Sequence, residues 1–204
     1  MYRVLTVARE YGSGGARIAA IAAERLGWKL LDRALVEEIA NLASVDVDLA
    51  RRYDERLDSW AHRASRRALW RGAFDAVAVL PQTAVFDAET MAHLTRAVIE
   101  HAYEIGDCVI VGRAAQCVLQ QREDAFHAFV YAPWADRLAR IRSRQPAAED
   151  AAGLIRKIDA ERSRYVRINF GMDRFDPHLY NLLISSKPGE DVAASTIRTA
   201  MGKE

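Results

Sequence analysis

The chain has 204 residues, 29 basic and 28 acidic, for a formal net charge of +1, and half of its residues are hydrophobic. That is enough apolar material for one sizeable core and too little net charge for a polyanion binder, which sets aside disordered, fibrous and nucleic-acid-binding classes. Only Lys29, Lys157, Lys187 and Lys203 are lysines; every other basic residue is an arginine, whose bidentate fork grips phosphate as lysine cannot.

The run RVLTVA (3–8) is β-branched and apolar, ends at a glycine-rich loop, and predicts a buried strand feeding a helix. That helix carries Ile18, Ile21, Ala22, Arg25 and Leu26 at helical spacing and stops at Gly27. MYRVLTVARE is charged too early for a signal peptide, and no apolar run approaches the ~18 residues of a membrane span, so a cytoplasmic protein without a membrane partner is expected. WKLLD (28–32) predicts a second strand, after which Asp32 is placed to cap the helix RALVEEIANLA.

Residues 46 to about 80 are rich in charge, alanine and tryptophan, without strand alternation, and predict two helices outside the sheet. Trp60 and Trp70 there suit packing or a homodimer contact better than a stacking platform. A long helix is expected from Asp87 to Gly106, with Met91, Leu94, Val98 and Ala102 on its apolar side. DCVIVGRAA (107–115) and FHAFVYAP (126–133) predict the third and fourth strands, LYNLLISS (179–186) the fifth. Helices are expected at 134–145, about 148–170, and from about Glu190.

Short apolar strands alternating with helices predict an α/β protein with a parallel sheet of about five strands. Cys108 and Cys117 lie in apolar stretches with no CxxC, which reads as buried free thiols. The five histidines show no ligand spacing beyond His93 and His101, eight apart, so a metalloenzyme is not expected.

The stretch REYGSGGARIA (9–19) is where chemistry is expected. A glycine loop between strand and helix binds phosphate because its N–H groups converge on the anion and the helix dipole favours negative charge. Gly12, Ser13, Gly14, Gly15, Ala16 and Arg17 form that loop and the start of its helix. The full signature G-x-x-x-x-G-K-[S/T] is not met: Arg9 stands at its first glycine, Gly15 at its lysine and Ala16 at its hydroxyl residue. An unreplaced lysine contact would forfeit about 1.5–3 kcal/mol. Arg17, in the first helical turn, is the first candidate to replace it, and Arg9 the second.

AREYGSGGARIA, LLDRALVEE, VIVGRAAQCVL, FVYAPWADRLARI and LIRKIDAERSRYVRINFG together, in this order and spacing, resemble the cytidylate kinase-like proteins, relatives of bacterial cytidylate kinase among the P-loop nucleoside monophosphate kinases. The resemblance implies a single P-loop NTPase domain over 1–204 with three layers and strand order 2-3-1-4-5. It also implies a helical substrate-lobe insertion at about 45–85 and an arginine-rich helical lid at about 140–170.

It further implies phosphoryl transfer from ATP, with Mg2+, to a small acceptor of the CMP or dCMP kind. Asp32 would hold Mg-bound water or the acceptor, no other protein ligand to the metal being expected, and its alternative use is as a helix cap. Arg33 and Arg113 would bind the acceptor. Arg140, Arg156, Asp159 and Arg162 fall on the lid, where Arg156 and Arg162 would serve catalysis alongside Arg17 and Asp32. Arg137, Arg140 and Arg144 share one helical face, and an exposed helix laced with ion pairs is the other use of this charge. Gly15, Ala16 and Gln116, the last standing where the group usually has an Asp, motivate a second hypothesis: a nucleotide-binding regulatory or interaction protein without turnover.

Overall fold

The computed structural model describes residues 1–32, 88–146 and 150–203. Most lie in one compact unit, Met1–Asp32 with Ile99–Glu204; Arg33–Val98 form a second, of which residues 88–98 are described. The helices expected between Asp32 and residue 80, Arg33, Trp60 and Trp70 lie outside the described residues.

In chain order the elements are β1 (Val4–Arg9), α1 (Gly15–Leu26), β2 (Lys29–Leu31), α2 (Ala88–Ile105), β3 (Cys108–Val111) and α3 (Ala115–Val118). They continue as β4 (Ala125–Tyr131), α4 (Trp134–Arg144), α5 (Ala151–Phe170), β5 (Leu182–Ser185) and α6 (Glu190–Ala200). The described strands form one five-stranded sheet, ordered β2-β3-β1-β4-β5. Every neighbouring pair is parallel. β1 is central, with Val4 beside both Cys108 and Ala125. The carboxyl ends of β1, β3 and β4 therefore share one edge, where parallel α/β sheets place their ligands.

Side chains alternate across this sheet. Leu5, Val7, Val109, Val111, Ala128 and Val130 face one way and pack with Ile18, Ala19 and Ala22 of α1 and Ala193, Ala194 and Ile197 of α6. The small residues let both helices lie close to the strands. On the opposite face Thr6 Oγ1 and His127 Nδ1 are 2.8 Å apart. Burial pushes the His127 imidazole down to about 4 and lifts the free thiols of Cys108 and Cys117 to about 11. Among the described residues no helix is long and apolar enough to cross a membrane.

Two strands are shorter than their sequences suggest. β3 stops at Val111 because Gly112, Arg113 and Ala114 all turn left-handed, with φ of 78°, 53° and 54°. β5 begins only at Leu182: Asp176 caps a short 3-10 turn at Pro177–Leu179, and the Asn181 side chain accepts the His127 N–H.

Candidate functional site

At the carboxyl edge β1 gives way to a loop held by several backbone hydrogen bonds. Glu10 N–H still pairs with Val130 at 3.0 Å, and Ser13 returns both its N–H and its hydroxyl to the Glu10 carbonyl. Gly12 and Gly14 adopt φ of 81° and 82°, a region costly for any residue with a Cβ. A Cβ on Gly14 would stand 2.6 Å from Glu190 Oε1, and one on Gly15 2.6 Å from the Arg9 Cβ. α1 then starts without a side-chain cap. Its first N–H groups have no acceptor within the helix and point out of its N-terminus.

The carbonyls of Arg9, Tyr11 and Gly12 are taken by arginines. Arg9 O accepts from Arg162 Nη1 at 3.2 Å and Arg174 Nη2 at 2.8 Å. Tyr11 O accepts from Arg137 Nε at 2.8 Å, and Gly12 O from Arg140 Nη1 at 3.2 Å. Arg140 Nη1 also reaches Ser186 Oγ, 3.2 Å away. Asp159 binds this group together: it pairs with Arg137 and Arg174 and accepts the Tyr11 N–H at 2.9 Å. Glu10 adds a second carboxylate on Arg137, at 3.2 Å.

Arg137 and Arg174 are 6% and 4% exposed, unusual for guanidinium groups and tolerable only because each meets at least one carboxylate and one carbonyl. Burial pulls Arg174 below its ordinary range, while Asp159 opposes the shift. Its guanidinium also lies 4.8 Å from the Phe175 ring centre.

Arg9 runs from the start of α1 to the end of β3, where a Cβ on Gly112 would collide with its guanidinium. Arg113, in the strained left-handed turn, donates from Nη1 to Asp32 O at 3.0 Å and to Val111 O at 3.4 Å. Such strain in a non-glycine residue costs roughly 1–3 kcal/mol and persists where the surroundings hold it. Arg9, Asp32 and Arg113 thus meet along the edge beside the loop. Gln116 is buried and donates to Tyr180 Oη at 3.4 Å, whose hydroxyl donates to Arg174 O.

The arrangement brings Arg9, Gly12, Ser13, Gly14, Gly15, Arg140, Asp159 and Arg162 to one loop. Arg17 projects into solvent from the first turn of α1, with no partner among the described residues. Arg156 is exposed and lies over the Trp134 ring at 5.3 Å rather than against the loop. Glu10, Tyr11, Arg174 and Ser186 complete the site without having been singled out from the sequence, and Arg137 joins them from a helical face read only as a row of arginines. The three- and four-residue spacing of Arg137, Arg140 and Arg144 marked a helical face and gave no sign that Arg137 is buried; Arg174, alone after Gly171, carried no signal.

The Cytidylate kinase-like family matches residues 4–188 of the chain. No curated protein matches it. Among solved structures, an uncharacterized protein from Eubacterium ventriosum ATCC 27560 is 23% identical, with 99% of both chains covered and a TM-score of 0.70. Shikimate kinase from Acinetobacter baumannii, in complex with shikimate, is 13% identical over 99% of this chain and 94% of its own, with a TM-score of 0.54. Shikimate kinase from Bacteroides thetaiotaomicron is 11% identical over 98% of each chain, with a TM-score of 0.57. At these identities the likeness is one of fold: a P-loop kinase fold with a parallel 2-3-1-4-5 sheet.

Proposed function

The chain belongs to the cytidylate kinase-like family, and on that premise we propose that it transfers a phosphoryl group from ATP to a small acceptor, a nucleoside monophosphate of the CMP or dCMP kind. The observation that carries this reading is the uncapped start of α1 behind two left-handed glycines, at the carboxyl edge where Arg9 and Arg113 also lie. An acceptor phosphate oxygen attacks the terminal phosphorus in line, the bond to the bridging oxygen breaks, and the nucleoside diphosphate leaves. Little covalent work falls to the protein; it holds, orients and neutralises.

The N–H groups of Gly14, Gly15, Ala16 and Arg17 hold the donor phosphates, with Gly12 and Ser13 shaping the turn. Arg17 folds back from solvent to meet the terminal phosphate in place of the loop lysine. Arg9 and Arg113 hold the acceptor, with Arg33 as a further contact to it, and Arg162 and Arg156 add positive charge from α5. Residues at about 140–170 serve as the lid; the acceptor lobe expected at about 45–85 lies outside the described residues.

The donor set fits a metal that arrives on the nucleotide. Among the described residues no three His, Cys, Asp or Glu side chains converge, Ala16 has no hydroxyl, and Asp32 brings one carboxylate to the sheet edge. Mg2+ is commonly held by one or two carboxylates with substrate phosphates and waters. Asp32 would hold water bound to the ion, whose chemistry would be to neutralise phosphate charge.

The test is product formation with Mg-ATP and a panel of nucleoside monophosphates, against a Gly14→Val variant. Product above that variant supports the reading; none with any acceptor overturns it for that class. The absence of a lysine at Gly15 and a hydroxyl at Ala16 favours one second reading, a nucleotide-binding regulator, which predicts thermal stabilisation by ATP without turnover.

A further inference from the structure

For the N–H groups of a loop to converge on an anion, its carbonyls have to turn outward, and each buried carbonyl then needs a donor. In this chain the donors are arginines: Arg162 and Arg174 on Arg9 O, Arg137 on Tyr11 O, Arg140 on Gly12 O. The two most buried of them, Arg137 and Arg174, both end on Asp159, and the same carboxylate takes the Tyr11 N–H. Apolar side chains would stabilise this region at lower desolvation cost than two buried guanidiniums. What apolar residues lack is a grip on the loop's carbonyls.

We propose that Asp159, with Arg137 and Arg174, is a positioning unit that fixes residues 9–12 in the anion-accepting shape, so that the loop stays ordered without a lysine of its own. These residues act on bound phosphate through the loop backbone and not by touching it. The proposal rests on reading the loop as a phosphate site and is independent of the acceptor.

The experiment compares wild type with Asp159→Asn, Arg137→Met and Arg174→Met. Amide hydrogen exchange is followed by peptide, and binding of tripolyphosphate and of ATP by calorimetry. Exchange across residues 9–17 is expected to quicken at least tenfold while β4 and α6 stay as in wild type, and both ligands are expected to bind at least tenfold more weakly. Unchanged exchange at 9–17, or a rise of equal size in β4 and α6, overturns the proposal, the second because it reports only a general loss of stability. Unchanged affinity with a loosened loop overturns it as well. Should a variant not fold, Arg174→Lys carries the same reading, since it keeps the charge and loses the fork. If wild type binds neither ligand, the kinase reading falls, and the exchange data alone decide whether the clamp exists.

Discussion

Under α1 the glycine loop rests on Ile18, Ala19 and Ala22 packed against β1, β3 and β4, whereas on its other side it is held by Arg137, Arg140, Arg162 and Arg174. The first support is non-directional: it fixes where the helix lies through area removed from water and would tolerate other side chains of equal volume. The second is directional: each arginine fixes the orientation of one carbonyl and so of the peptide plane that carries the next N–H. Stability and shape are thus supplied to one loop by different sides of it, and variants on the two sides should fail differently.

The largest effect is expected on the apolar side. Ile18→Ala, at a fully buried position, should cost about 2–5 kcal/mol in denaturant unfolding and leave ATP affinity of the folded protein as it is; a matching loss of affinity would break the distinction.

Acid tests the sheet face away from α1. The folded-state pKa of His127, about 4, lies below its ordinary 6.5. The unfolded chain therefore takes up the proton first, and stability present above about pH 6.5 is lost as pH falls toward 4. At 1.36 kcal/mol per unit the loss approaches about 3 kcal/mol. Urea unfolding between pH 7.5 and 4 should show it, with the slope flattened in His127→Gln.

Arg17→Ala should sharpen the comparison further. An exposed side chain without a described partner adds little to folding, within about 0.5 kcal/mol. Its loss should weaken ATP by about 1.5–3 kcal/mol and ADP by less. Equal losses in calorimetry would remove it as the stand-in for lysine. The smallest effect is expected from Arg25→Ala, whose partner Asp191 is largely exposed: thermal unfolding should register about 0–1 kcal/mol.

The sheet and its flanking helices were legible because burial by area leaves a periodic trace. RVLTVA and the spacing of Ile18, Ile21 and Ala22 announce which faces turn inward before any contact is known. The strand order came from the resemblance of five segments to a family and not from periodicity. Glu10, Arg137 and Arg174 were illegible for the opposite reason. A buried charge is placed by the groups around it, and the Arg9 carbonyl that Arg174 grips lies 165 residues away. The turn at Arg113 and Ala114 was hidden by its composition, since DCVIVGRAA reads as strand through Ala115 and nothing in an alanine signals a φ of 54°.

Those long separations also order events in time. Tyr11 meets Arg137 across 126 residues and Asp159 across 148. A ribosome delivers β1 and its loop early and the clamp's last arginine, Arg174, only after most of the sheet has been made. Contacts so distant in sequence form late, once the loop-closure entropy has been met by the strands between them. The fully gripped loop is therefore among the last features of the fold to mature, and a nascent chain that has not yet reached Arg174 presents Gly12 and Gly14 before every guanidinium that holds the loop's carbonyls has been made.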